Sequence, residues 1–102
     1  MPTIEQIEAL LDKEPDDVFL NFGLAMAFVS AGEHEDAISR FDRALTLDSN
    51  YVPAYFQKAR LLASRGDDAA AKVTLEQGLA TAKAVGDEHA FGEMTEFLES
   101  LG

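Results

Sequence analysis

The sequence predicts an all-α protein, and three features of the chain support this fold class. Isoleucine occurs only three times, and no segment alternates apolar with polar side chains over several residues, so the usual signals of strands are missing. Apolar residues instead recur at spacings of three and four, as they do along one face of a helix. The signals that end helices also repeat, since Gly32 and Gly66 are 34 positions apart.

Start and stop signals delimit the first two helices. Thr3 and Gln6 resemble a capping box, in which a hydroxyl and an amide side chain satisfy free backbone N–H groups at a helix start. Pro15 cannot continue the first helix, and Asp16 is predicted to cap the second. Gly32 suits the left-handed backbone conformation that ends a helix.

Similar signals delimit the remaining helices. Pro53 fits the first turn of a helix, where its missing N–H costs little. Gly66 is predicted to end that helix. Asp67 or Asp68 can cap the next one, and Asp87 can cap the last. Six helices are therefore predicted, over residues 3–13, 17–31, 35–47, 52–65, 69–84 and 88–100.

The offset of 34 residues relates many side chains as well as the glycines. The matched pairs are Phe22 and Phe56, Ala25 and Ala59, Phe28 and Leu62, Ala37 and Ala71, Phe41 and Leu75, Ala44 and Gly78, and Leu45 and Leu79. So many matches at one offset indicate two copies of one helix-turn-helix unit.

The repeated unit resembles the tetratricopeptide repeat, whose pattern is W-x2-L-G-x2-Y, then A-x3-F, then P. The first copy reads Asn21-x2-Leu24-Ala25-x2-Phe28 and then Ala37-x3-Phe41. The second copy reads Tyr55-x2-Lys58-Ala59-x2-Leu62 and then Ala71-x3-Leu75. The sequence departs from the family pattern at Asn21, Ser49, Lys58 and Lys83.

This resemblance implies an α-α superhelix of antiparallel helical hairpins, arranged as a short right-handed solenoid. It implies one repeat domain over residues 1–102. Its predicted parts are a half repeat at 3–15, full repeats at 18–51 and 52–85, and a capping helix at 87–101. The positions that would face a following helix are polar in the last segment, as a terminal cap requires.

The composition argues against several classes of function. Nineteen acidic residues against eight basic ones give a net charge of -11, which disfavours nucleic-acid partners and anionic membrane surfaces. Solubility is the ordinary explanation for such acidity. Seven of the eight bases lie between Arg40 and Lys83, so an acidic partner would dock there. The sequence has no cysteine. No signal peptide or membrane-spanning segment is predicted from it, and a cytoplasmic location is expected.

No catalytic motif is present, so the chain is predicted to be no enzyme and to need no cofactor. The sequence lacks GxGxxG, GxxxxGK[ST], GxSxG and HExxH. His89 and Glu93 lie four positions apart on one helix and could share a metal ion, but two ligands make a poor site. No metal site is therefore predicted.

The candidate binding site is a second apolar face of the helix over 17–31. In tetratricopeptide proteins the matching face of the first helix of each repeat lines a concave, peptide-binding groove. Transferred to this sequence through the period, the groove residues are Phe19, Phe22, Met26, Val29, Phe56, Arg60, Met94 and Phe97. Some family members clamp the carboxylate of a chaperone tail with Lys and Asn, but the corresponding positions hold Phe22, Met26 and Phe56. Chaperone-tail binding is therefore disfavoured.

Two interpretations of these groove residues stay open. They either fill the curve of a short repeat array, as Met and aromatic residues usually do, or form an open floor for a partner helix or peptide. The predicted function is a binding module of scaffold or adaptor type for a partner protein. The alternative is self-association into a homodimer through the same surface.

Overall fold

The computed structural model describes residues 2–102, and every regular element in them is an α-helix. The helices are α1 (Ile4–Lys13), α2 (Val18–Ser30), α3 (His34–Leu47), α4 (Val52–Ser64), α5 (Asp68–Val85) and α6 (Glu88–Ser100). Each bound lies within one residue of the predicted one, so the all-α class is confirmed. Within this described part, none of the helices has the length and apolar character needed to cross a membrane.

The capping box at the start of α1 is confirmed. The Thr3 amide donates to Oε1 of Gln6 at 2.8 Å, and the Gln6 amide donates to Oγ1 of Thr3 at 3.2 Å. Pro53 lies in the first turn of α4, as predicted. Asp67 and Asp87 precede α5 and α6, and each accepts a hydrogen bond from a first-turn amide.

The prediction that Asp16 caps α2 is wrong. Asp17 is the residue next to the first helical position, and its Oδ1 accepts from the Leu20 amide at 2.8 Å. Asp16 lies one residue too early for this bond. Its carboxylate instead accepts from Nη2 of Arg43 at 2.7 Å.

The glycine turns repeat in atomic detail. Gly32 and Gly66 have positive φ values of 78° and 81°. In both turns the amide after the glycine donates, at 2.9 Å, to a carbonyl five residues earlier, that of Phe28 or Leu62. This bond closes a helix C-terminus and favours glycine, because other residues pay a steric penalty in the left-handed region. Gly86, which the sequence analysis did not single out, makes a third turn of this type with φ 77°.

The chain divides into two compact units, the first ending at Ser49 and the second running from Asn50 to Gly102. In the first unit α2 packs against α1 and α3. In the second unit α5 packs against α4 and α6, and α4 also contacts α6. The hairpins α2–α3 and α4–α5 correspond to the two predicted full repeats. The single repeat domain over 1–102 stays a prediction.

Each unit has a buried apolar core at the positions that the period relates. Ala25, Ala37 and Phe41 are fully buried in the first unit, and Ala59, Ala71 and Leu75 are fully buried in the second. The α1–α2 contact of the first unit is built from Ile7, Leu11, Leu24 and Ala27. The buried core of the second unit includes Val52, Ala82 and Met94.

A buried asparagine connects three segments of the first unit. Asn21 is fully buried, and its Nδ2 donates to the carbonyls of Pro15 at 3.1 Å and Asp17 at 2.9 Å. Its Oδ1 accepts from Nη1 of Arg40 on α3 at 2.9 Å. Every polar atom of the amide therefore has a partner, which removes the cost of burying it.

A glycine without positive φ has a packing role in the second unit. A Cβ atom on Gly78 of α5 would lie 2.8 Å from Cβ of Tyr55 on α4 and 2.7 Å from Sδ of Met94 on α6. Carbon atoms in contact are ordinarily about 3.5–4.0 Å apart. The three helices can therefore approach this closely only because residue 78 lacks a side chain.

Candidate partner-binding surface

An apolar cleft lies between α1 and α2 of the first unit. Its volume is about 290 Å³. We call it the α1–α2 cleft, and its lining residues are Pro2, Ile7, Leu10, Phe19, Leu20, Phe22, Gly23 and Met26. None of these residues has a polar or charged side chain.

The sequence of α2 explains why the cleft is apolar and open. None of the thirteen residues of α2 is charged, so the helix is apolar on nearly every side. One face is buried against the neighbouring helices, most of the other apolar side chains are partly buried, and Phe19 is exposed. Gly23 has no side chain to fill the space beside it, and no atom outside its chain neighbours and its own helix backbone lies within 4 Å of the position a Cβ would take.

The cleft has a buried base and an exposed rim. Ile7 is 6% exposed and belongs to the core between α1 and α2. Leu10 and Phe19 are 51% and 70% exposed. Phe22 and Met26 are partly buried. The rim therefore presents two large apolar side chains to solvent above an apolar floor.

Phe22 is held in place from within its own unit. Its ring centroid lies 5.9 Å from that of Phe41 on α3, at an interplanar angle of 55°. Such tilted aromatic pairs are favourable beyond the area they bury. Val29, the fourth predicted groove residue on α2, is partly buried and does not line the α1–α2 cleft.

The second unit brings three of the predicted groove residues together. The rings of Phe56 on α4 and Phe97 on α6 meet edge to face, with centroids 6.0 Å apart. The guanidinium of Arg60 lies 5.7 Å from the centroid of Phe56. An open depression of about 380 Å³ beside them is also lined by Glu93, Glu96 and Ser100. This surface is aromatic at its floor and charged at its rim.

Met94 lies in the core instead of on the predicted groove surface. Its side chain is 0% exposed, in a cluster with Val52, Leu75 and Ala82. The reason is the missing side chain at Gly78, which leaves the space that the Met94 sulfur occupies. Met94 therefore supports Phe97 and its neighbours but cannot itself contact a partner.

The pair singled out for metal binding is an exposed contact on α6. Nε2 of His89 lies 3.2 Å from Oε1 of Glu93, and both side chains are at least half exposed. Across residues 2–102, no three His, Asp or Glu side chains are grouped so that they could hold a metal ion.

Sequence analysis missed the contribution of α1 to the cleft. The signal was present, because Leu10 and Leu11 are adjacent and point about 100° apart on a helix. Only Leu11 faces the core, at 6% exposure, which leaves Leu10 on the surface.

Comparisons with known proteins agree on the family. A tetratricopeptide-repeat family model matches residues 28–89. A TPR repeat-containing protein of Pseudomonas aeruginosa is 38% identical over 98 residues, which cover 96% of this chain and 93% of that protein.

Two solved structures share the fold at lower identity. The TPR2B domain of yeast Sti1, in a complex with pHsp70, has a TM-score of 0.89 and 20% identity over 96% of this chain and 78% of that one. PcrH, in complex with the chaperone binding region of PopD, has a TM-score of 0.88 and 22% identity over 96% of this chain and 74% of that one. The repeat fold predicted from the sequence is confirmed, and the chain belongs to the tetratricopeptide repeat family.

Proposed function

We propose that this chain is a protein-interaction module without catalytic activity, and that the α1–α2 cleft binds apolar side chains of a partner protein. One observation supports this most: the open cleft is wholly apolar and has Phe19 at its rim with 70% of its surface exposed. Exposed apolar patches of this kind commonly mark interaction sites. The Sti1 and PcrH domains, which share the fold, are each in a complex with another polypeptide.

Burial of the cleft rim would supply useful affinity. Complete burial of a Leu or Phe side chain contributes about 1.5–3 kcal/mol. Leu10 and Phe19 are 51% and 70% exposed in the free chain. A partner that covers both side chains therefore gains more than half of the free energy of complete burial for each. The gain amounts to about 2–3 kcal/mol, which corresponds to roughly a hundredfold in affinity.

The Phe56–Phe97 surface of the second unit is a further proposed contact. Its two rings are partly buried and pack against the core of the second unit, so it has less apolar area to offer than the rim of the α1–α2 cleft. Arg60 and the carboxylates of Glu93 and Glu96 supply hydrogen-bonding groups around it. We expect this surface to contribute orientation more than affinity.

The experiment is a selection of binders from a displayed random peptide library, followed by calorimetry on the enriched peptides. Leu10→Gln and Phe19→Gln remove apolar rim surface at exposed positions, where the fold tolerates the change. Val73→Gln is the matched control, because Val73 is 57% exposed on α5 of the second unit. We expect each cleft variant to weaken binding by about tenfold and the control to leave it unchanged.

Two outcomes would count against the proposal. Peptides that bind the wild-type chain and both cleft variants equally would place the contact elsewhere. A concentration-dependent dimer that Phe19→Gln dissociates would mean that a second copy of the chain occupies the cleft, which is the homodimer alternative. Sedimentation equilibrium of the wild-type chain and this variant distinguishes the two cases.

A cytoplasmic location and the lack of nucleic-acid or membrane partners stay predictions from the sequence. The net charge of -11 supports the second of these, because phosphate groups and this surface have the same sign.

A further inference from the structure

We propose that the segment bound in the α1–α2 cleft is basic and amphipathic, with apolar side chains that enter the cleft and Lys or Arg side chains that face the surrounding carboxylates. This inference rests on the proposed function, and it adds the chemistry of the partner. It follows from the charge of the unit that contains the cleft.

The negative charge of the protein is concentrated in the first unit. Up to Ser49 the sequence has eleven acidic and three basic residues, a net charge of 3 - 11 = -8. From Asn50 onward it has eight acidic and five basic residues, a net charge of 5 - 8 = -3. Ten of the eleven acidic side chains of the first unit are exposed. A cationic partner is therefore attracted to the first unit in particular.

Acidic residues also lie along the chain between two exposed lining residues of the cleft. Leu10 and Phe19, two exposed lining residues of the cleft, are joined by the segment 11–18. This segment contains four carboxylates and one base, and three of the carboxylates belong to exposed residues: Asp12, Glu14 and Asp16. Carboxylates within the Debye length of a docked Lys or Arg, about 8 Å at physiological salt, attract it with little screening.

The floor of the cleft leaves this attraction unopposed. α2 has no charged residue, so no cation on it repels an incoming Lys or Arg. On α3, Arg40 donates to Asn21, and Arg43 pairs with Asp16, so the charges of Arg43 and Asp16 offset each other. Asp12 and Glu14 are the other exposed carboxylates of the segment 11–18. An apolar floor beside a negatively charged surface complements a segment that is apolar on one face and basic on the other.

The test uses three synthetic amphipathic peptides of one length. The first has Leu and Phe on one face and Lys on the other. The second replaces each Lys by Glu, and the third keeps Lys but replaces the apolar anchors by Ser. Binding to the full chain is measured by fluorescence anisotropy at about 50 mM and about 300 mM salt, where screening differs strongly. We expect the Lys peptide to bind at least about tenfold tighter than either relative, and to weaken at the higher salt.

Protein variants locate the charge effect. Asp12→Asn combined with Glu14→Gln removes two carboxylates beside the cleft, and Glu76→Gln combined with Glu99→Gln removes two exposed carboxylates of the second unit. We expect the Asp12/Glu14 double variant to lower the affinity for the Lys peptide several-fold more than the Glu76/Glu99 double variant does. Neither variant should lower the affinity for the Glu peptide.

The outcomes separate this inference from the proposed function. If the Lys and Glu peptides bind equally and Phe19→Gln weakens both, the cleft binds apolar anchors but the basic character of the partner is refuted. If the Ser peptide binds as well as the Lys peptide, attraction is non-specific and both proposals fail. Failure of all three peptides to bind at either salt concentration would also contradict both.

Discussion

Substitution of Gly78 by alanine tests whether close helix packing shapes the second unit. In the interior of a helix, alanine is favoured over glycine by about 1 kcal/mol. Gly23 and Gly92 are also helical, and a Cβ placed on either residue has no atom within 4 Å apart from its chain neighbours and its own helix backbone. Gly23→Ala and Gly92→Ala should therefore stabilise the protein by about 0.5–1 kcal/mol.

The same change at Gly78 meets two side chains. Its Cβ would lie 2.8 Å from Cβ of Tyr55, an atom fixed to the backbone of α4, and 2.7 Å from Sδ of Met94. The methionine can change its torsion angles, but relief of the Tyr55 contact requires α4 and α5 to separate. Overpacking of this type costs about 1–3 kcal/mol. Gly78→Ala should therefore be less stable than the two control variants by about 1–3 kcal/mol.

Urea unfolding followed by helical circular dichroism measures these differences. The urea concentration at the unfolding midpoint should be higher for Gly23→Ala and Gly92→Ala than for the wild-type chain. The midpoint of Gly78→Ala should be lower than those of both control variants. In thermal unfolding, 1 kcal/mol corresponds to about 4–8 °C for a protein of this size. If Gly78→Ala were as stable as the controls, the helices could separate freely, and the close approach would have no role in holding Met94 in the core.

Four further substitutions test the elements that fix the helices. Asn21→Ala should destabilise the protein by about 2–3 kcal/mol in urea unfolding, because its hydrogen-bonding partners, which include the guanidinium of Arg40, lose their bonds to it. A loss below about 0.5 kcal/mol would contradict this. Gly66→Ala should cost about 1–2 kcal/mol, since its φ is 81°, and unchanged thermal stability would refute the requirement for glycine. Asp17→Ala should lower the free energy of unfolding by about 1 kcal/mol, because it removes the cap of α2. Asp16→Ala removes only an exposed ion pair and should cost less than about 0.5 kcal/mol. The reverse order of the two losses would mean that Asp16 is the cap, as the sequence predicted.

The helices and turns could be predicted because their signals are local. A left-handed turn favours glycine, and close packing in the core favours a small side chain such as alanine. The same residue therefore recurs one period later, as at Gly32 and Gly66 or Ala25 and Ala59. The N-cap of α2 was missed because Asp16 and Asp17 are both good capping residues. Only the turn geometry, which includes the bonds from Asn21 to the carbonyls, determines which of them precedes the helix.

The binding surface was less predictable because exposure depends on packing between helices. The sequence placed Phe19, Phe22 and Met26 on one face, but the space at Gly78 that accommodates Met94 exists only where three helices meet. The exposure of Leu10 was not predicted either, because Leu10 is 51% exposed although Ile7 and Leu11 of the same helix are buried. Periodicity gives the face of a helix, and the depth of each side chain is set by its neighbours.

An NMR titration tests most directly whether the α1–α2 cleft is the partner site. The isotopically labelled chain would be titrated with the Lys-rich amphipathic peptide while side-chain signals of both units are followed. We predict saturable shifts for Leu10, Phe19 and Met26, with Val73 and Val85, which are 57% and 49% exposed in the second unit, unaffected. Shifts confined to the valines of the second unit, or shifts that never saturate, would contradict the assignment of the cleft as the binding site.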